Sequence, residues 1–216
     1  MIESSRMAKL DCSKLITPTP ERVEAACVQF NHEYAVSEKA LRDLFDQHPS
    51  NSDIHHVFLK VVALNFLYST RILLYSDKVR DVGDVADHIN RIHQEIDAAL
   101  HGHAPKPEIV DRIANIHIQG KRDMNCFSFA TKYCSWHDPE SYPIWDSRVD
   151  VYLRCLQKQE DRGDDFRLKG NWNYSDFLAV MTRLKKRYGL DSISFKDIDK
   201  FLWLEGERLN NPGAQI

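Results

Sequence analysis

The chain lacks the marks of export and of membrane insertion. Met1 to Lys14 is short and polar, with no apolar leader, so a cytoplasmic protein is expected. The longest apolar stretch, Val57 to Tyr75, is broken by Lys60, Asn65 and Arg71 and reads as a core helix rather than a span. Cysteine is scarce. The five present, Cys12, Cys27, Cys126, Cys134 and Cys155, are an odd number without a close C-x-x-C pair. That pattern predicts reduced thiols and no structural disulfide. Neither G-x-x-x-x-G-K-[ST] nor G-x-G-x-x-G occurs, which argues against nucleotide-hydrolysing and dinucleotide-dependent enzymes. No alternating run of five or more residues suggests a strand, no Asn-Gly suggests a hairpin, and no repeat or low-complexity tract is present. Charge of either sign is not in excess: the net charge is −3 over 216 residues. The first 105 residues hold 11 Lys and Arg against 15 Asp and Glu, and the remainder hold 18 against 17. Only a local basic patch could therefore meet a phosphate backbone.

What is present is helical periodicity. An apolar fraction of 43% in a chain of this length can build a substantial core. Thr19-Pro20-Glu21 predicts an N-cap, a first-turn proline and a first-turn acid, opening a helix to about Tyr34. Further helices are expected from about Ser37 to Phe45, Asp53 to Ser76 and Asp84 to Leu100. Ile109, Ile113, Ile116 and His117 mark one buried helix face, and Phe177, Met181, Leu184 and Tyr188 another that stops at Gly189. Ser194-Phe-Lys-Asp197 resembles a capping box before Ile198, Phe201 and Leu202. His101 to Pro107 and Gln157 to Asn173 read as loops. The expected fold is all-α, one domain over residues 1–216, with two lobes, 1–105 and 106–216, flanking a cleft.

The segment Asn125 to Val149 carries the candidate chemistry. Lys132 stands on a helix whose neighbours Phe127, Phe129, Ala130, Tyr133 and Trp136 are mostly apolar. Removal from water would lower its pKa and make its amine nucleophilic. Asp146 follows Pro143-Ile-Trp and opens the next helix, where backbone N–H groups and the helix dipole favour the ionised carboxylate. The same residues also suit an ordinary N-cap and a snorkelling lysine.

Tyr142-Pro143-Ile-Trp-Asp146-Ser-Arg-Val149 resembles the Pro-x-Asp-x-x-Val loop of the helix-hairpin-helix DNA glycosylase superfamily, with one extra residue between Pro and Asp. Ala63-Leu-Asn-Phe-Leu-Tyr-Ser-Thr-Arg71 is similar to an earlier helix of that family that probes the opened duplex, which singles out Asn65 and Ser69. The resemblance spans roughly residues 50 to 155. It implies excision of a modified base from double-stranded DNA, with or without lyase activity, and without a cofactor. Asp146 would stabilise the sugar cation, and either Lys132 or Ser128 would occupy the place of the family's lysine. Trp136, Tyr142 and Trp145 would wall the base pocket. Lys121, Arg122 and Arg148, with the basic run Lys185-Lys186, would touch the DNA backbone. The family's hairpin is glycine-rich, whereas Gly120-Lys-Arg-Asp-Met-Asn-Cys-Phe127 has one glycine. A catalytically degenerate relative that binds DNA or protein is the alternative. The sequence is silent on oligomeric state. Other groupings are weaker: Cys126, Cys134 and His137 supply three ligands at C-x7-C-x2-H, which matches no zinc signature. A Cys134–His137 nucleophile pair has no oxyanion hole implied beside it, and His55, His56, His101 and His103 read as surface or helix-end residues.

Overall fold

The computed structural model describes residues 12–70, 72, 78–101, 105–117, 123–160, 166–168 and 170–210. Among them nine α-helices and one two-stranded sheet follow a 3₁₀ turn at Cys12–Lys14. The helices are α1 (Pro20–Gln47), α2 (Ile54–Tyr68), α3 (Lys78–Arg91), α4 (His93–Leu100), α5 (Glu108–Ala114), α6 (Phe127–His137), α7 (Ser147–Glu160), α8 (Tyr174–Arg187) and α9 (Phe195–Asn210). Between α5 and α6, β1 (Asn115–Ile116) pairs antiparallel with β2 (Met124–Asn125). No helix of the described residues is long and apolar enough to cross a membrane.

Local chemistry sets most of the boundaries. The Thr19 hydroxyl accepts from the Arg22 N–H at 3.3 Å, with Pro20 in the first turn. The two helices expected between residues 19 and 45 are one helix, kinked where Tyr34 leaves helical geometry (φ −115°, ψ 15°). Its end at Gln47 precedes His48-Pro49, since a residue before proline is driven out of the α region. Asp53 caps α2 by accepting from the His55 N–H at 2.8 Å. The predicted run to Ser76 stops at Tyr68 instead, because Ser69 turns left-handed (φ 48°). The Asn65 carboxamide oxygen then accepts from Thr70 Oγ1 (2.9 Å) and the Ile72 N–H (3.1 Å), fixing the chain in its new direction. The expected Asp84–Leu100 helix is split at Ile92 into α3 and α4. α5 ends at Ala114, so His117 is exposed and pairs with Asp123 at 3.0 Å instead of extending the buried face. The polar loop expected from Gln157 begins later, since α7 continues to Glu160.

One apolar core runs through both halves of the sequence. α7 and α1 pack on α9, α2 on α3, and α5 on α6. α6 is the centre: every residue from Phe129 to Trp136 is buried. A helix enclosed on all sides has no solvated face, and any polar residue on it must find partners inside.

The expectation of no disulfide is corrected. Cys12 is bonded to Cys155 across 143 residues, tying the first turn to α7. Tyr152 Oη donates to the Ile16 carbonyl (2.8 Å) and Gln159 Nε2 to the Cys12 carbonyl (2.9 Å) along the same contact. A spacing rule finds neighbouring cysteines and is blind to a pair that only the fold brings together.

α7 and α9 approach closely at Gly206. A Cβ there would lie 2.7 Å from the Arg148 carbonyl carbon and 2.9 Å from the Arg148 Cβ. Helix propensity favours alanine at such a site by about 1 kcal/mol. The close approach should reverse the sign: Gly206→Ala is expected to destabilise by about 1–3 kcal/mol. Urea unfolding of the two proteins checks this.

Candidate functional site: a buried lysine and two aspartates on an aromatic cavity

α6 carries Lys132 into the core with 1% of its surface exposed. Its Nζ donates to Ser128 Oγ (2.9 Å), one turn earlier, and to Asp146 Oδ2 (3.5 Å). Burial holds the Lys132 pKa below the usual lysine range, and the Asp146 carboxylate opposes that shift. Tyr68 adds an aromatic face 5.7 Å from the ammonium.

Asp146 caps α7 as the sequence predicts. Its Oδ1 accepts from the backbone N–H groups of Arg148 (2.9 Å) and Val149 (3.1 Å), leaving Oδ2 to Lys132. The loop delivering it is fixed. Thr131 Oγ1 donates to the Trp145 carbonyl (3.2 Å) and accepts from the Trp145 N–H (3.1 Å), while Tyr174 Oη donates to the Pro143 carbonyl (2.8 Å). Each of these partners constrains the carboxylate to one position.

Asp146 opens on a cavity of about 260 Å³. The α1 kink supplies Phe30, Tyr34 and Glu38, the end of α2 supplies Tyr68 and Ser69, and α9 supplies Asp199 and Trp203. The aromatic rings stand edge to face: Phe30 and Tyr34 each lie 5.7 Å from Trp203. Arg148 lies 4.5 Å over the Trp203 ring and forms an ion pair with Glu207.

Asp199 and Lys196 are the residues that sequence reasoning missed. Lys196 is buried, donates to Tyr68 Oη (2.8 Å) and stands 4.1 Å over the Trp136 ring. Tyr68 Oη donates in turn to Glu38 Oε1 (3.2 Å), and Lys196 Nζ lies 3.7 Å from the same oxygen. Asp199 is 7% exposed, and its Oδ1 has no hydrogen-bond partner. Burial pushes the Asp199 carboxyl up to about 7; Lys196 opposes this and Asp146 reinforces it. A signal existed in the sequence. α9 is buried along most of its length yet carries Lys196, Asp199 and Lys200, charges that cannot sit in a core without partners.

A stability test follows from Asp199. Its folded-state pKa lies above the ordinary 3.8, so below about pH 3 both states hold the proton and no penalty exists. As pH rises toward 7 the unfolded chain releases that proton first, and the native state loses stability. Asp199→Asn is expected to be more stable than wild type by about 2–4 kcal/mol at pH 8, with the difference closing toward about pH 3. Denaturant midpoints across that range measure it.

The structure divides the other expected residues between two places. Ser69 and Arg148 line the Asp146 cavity. Ser128 and Trp145 line a second, open cleft of about 750 Å³, together with Phe127, Asn125 and Trp172. Lys132 lines neither. Trp136 and Tyr142 line neither and are core; Tyr142 Oη accepts from the Lys106 N–H at 2.9 Å. Asn65 is buried and braces the turn after α2. Lys185 sits over the Phe195 ring at 4.6 Å and Lys186 is exposed; neither reaches the cavity or the cleft. Lys121 and Arg122 lie outside the described residues, as do Gly120 and His103.

Cys134 is no nucleophile here, because burial raises its thiol pKa well above the usual range. His137 is half-buried; the desolvation it does suffer, with the nearby Lys60 charge, holds its pKa well below the usual imidazole range, and Lys60 Nζ lies 3.4 Å from its Nε2. That lysine, fully buried on α2, also donates to Asn51 Oδ1 (3.2 Å) and the Ser50 carbonyl (3.3 Å), which satisfies it structurally. Among the described residues no three His, Cys, Asp or Glu side chains are grouped to hold a metal ion.

The fold and site define a mostly helical protein in which an aspartate, ion-paired to a buried lysine, opens on a small aromatic cavity. Residues 21–141 match the HI_0787_N family model, described as an N-terminal domain, and the chain belongs to that family. An uncharacterized protein of Haemophilus influenzae is 32% identical over 136 residues, 63% of this chain and 62% of its own length. The chain thus matches less than two thirds of that relative. No solved structure matches. The family match covers Ser128 and Lys132 but ends before Asp146 and Asp199.

Proposed function

We propose that the protein is a monofunctional DNA glycosylase that hydrolyses the bond between a modified base and its sugar. One observation carries the reading: Asp146, fixed by two backbone N–H groups and by buried Lys132, opens on an aromatic cavity of about 260 Å³. Pockets for drug-sized ligands start near about 300 Å³, so this one suits a single flipped base. Support also comes from connectivity. The order α5, antiparallel β1–β2 pair, α6, and then an aspartate at the start of α7 is compatible with the resemblance.

The flipped base lies against Trp203 and Tyr34, and the C1′ carbon of its sugar stands beside Asp146. The C1′–N bond breaks with its electron pair leaving on the base. Asp146 stabilises the positive charge that develops on the sugar. A water oxygen bonds to C1′, and the proton it loses passes through the Asp146 carboxylate to the departing base. Lys132 is a positioning residue, since its amine is enclosed and already donates to Ser128 and Asp146. Ser128, nearer the place where the resemblance expects a lysine, accepts from that amine. Such a reaction belongs where the cell keeps its DNA.

Incubation with a panel of duplexes bearing oxidised, alkylated or deaminated bases tests the reading. The expected result is an alkali-labile abasic site with no borohydride-trapped protein–DNA adduct. No labile site on any duplex would reject the glycosylase. An adduct lost in Lys132→Ala would make the lysine the nucleophile.

A further inference from the structure

α2 has a solvent face without formal charge. Its exposed positions are Phe58, Leu59, Val62, Phe66 and Leu67, with His55 the one polar residue among them. The single Lys of the helix, Lys60, is fully buried. The five apolar side chains are between 38% (Phe58) and 81% (Phe66) exposed. Those fractions leave roughly 450 Å² of apolar surface in water on one helix, the upper range for a contiguous patch on a monomer. Phe58, Val62 and Phe66, spaced i, i+4, i+8, form one ridge. Leu59, Ala63 and Leu67 form a second beside it, with the small Ala63 at its middle. A helix that is apolar on every side belongs in an interior, yet α2 is covered on one side only.

We infer that this face is covered by the same face of a second copy of the chain, in a two-fold symmetric dimer. The inference goes beyond the glycosylase reading and does not depend on it. Charge selects the occupant. A nucleic-acid backbone or an anionic lipid surface is held by Lys and Arg, and the exposed face of α2 offers neither. A partner with charged residues would lose their hydration here without gaining a counter-charge. A second copy brings the same uncharged face, so an isologous pairing meets neither obstacle. Area agrees with this choice. Two such faces remove roughly 900 Å² of apolar surface from water, and the rim around them brings the interface to the lower end of the stable range, about 1,200 Å². With the axis at Val62, an antiparallel pairing sets Phe58 against Phe66 of the partner subunit. The outer ridge of each helix then enters the groove beside Ala63 of the other.

Sedimentation equilibrium of the whole chain, at concentrations from about 1 to 100 µM, tests this. The expected result is a mass that rises to that of two chains within the range. Val62→Lys sets two like charges against each other at the axis and should raise the dimer dissociation constant at least about 100-fold. Phe66→Ser, at the most exposed position of the face, should raise it at least about tenfold. Val28→Lys places the same charge on an exposed apolar position of α1 and should leave the constant unchanged. All three positions face solvent in the single chain, and thermal unfolding confirms that the variants are folded. A monomer at every concentration would overturn the inference. So would a dimer that survives Val62→Lys and Phe66→Ser, or one that Val28→Lys dissociates equally. Cosedimentation then assigns a monomer's α2 face. Binding to phosphatidylglycerol vesicles, or to duplex DNA, that Phe66→Ser abolishes would give the face to lipid or to nucleic acid instead.

Discussion

Asp146→Asn should lower single-turnover base release by about 10²- to 10³-fold while leaving a folded protein. The substitution separates the two jobs of this side chain. An asparagine oxygen can still accept from the Arg148 and Val149 N–H groups, so the start of α7 stays capped. The negative charge facing Lys132 and the cavity is what disappears. An interaction that strengthens as positive charge develops on the sugar is lost mostly from the transition state, so the chemical rate should fall more than substrate binding. A matching loss in binding alone would assign Asp146 to the ground state.

Lys132→Ala should cost about 3–5 kcal/mol of stability. Lys132 is 2% and Asp146 12% exposed at the side chain, so water can do little to replace the missing partner. The truncation also opens space on a helix that is buried from Phe129 to Trp136. An exposed pair provides the control. Lys39 and Asp43 approach to 2.7 Å on α1, but their side chains are 75% and 47% exposed. Lys39→Ala should therefore change stability by less than about 1 kcal/mol. Equilibrium urea unfolding of both variants beside wild type makes the comparison. A Lys132→Ala cost no larger than that of Lys39→Ala would contradict the buried pair.

Asp146 was legible because its signal is local. A proline-containing loop, an acid and an amphipathic run follow one another in sequence, and the cap forms among the same few residues. Lys132 was legible because a cation on an otherwise apolar helix must find a counter-charge, and Asp146 stands only 14 residues away. Lys196 was not: Tyr68, which accepts from it, lies 128 residues away on α2. The cavity was hidden for the same reason, since its walls come from α1, α2, α7 and α9. Aromatic identity also misled. Trp136, Tyr142 and Trp145 are close in sequence to Asp146, yet the rings lining its cavity are Phe30, Tyr34, Tyr68 and Trp203. Helix ends were misjudged where a single side chain redirects the backbone, as Asn65 does after α2.

The most direct test of the central claim is mass-spectrometric detection of free base released from a panel of modified DNA duplexes, by wild type and by Asp146→Asn. The account expects at least one base to be released by wild type, without a covalent protein–DNA adduct, and release to fall at least about 100-fold in the variant. No release from any duplex, or release unchanged in Asp146→Asn, would contradict it.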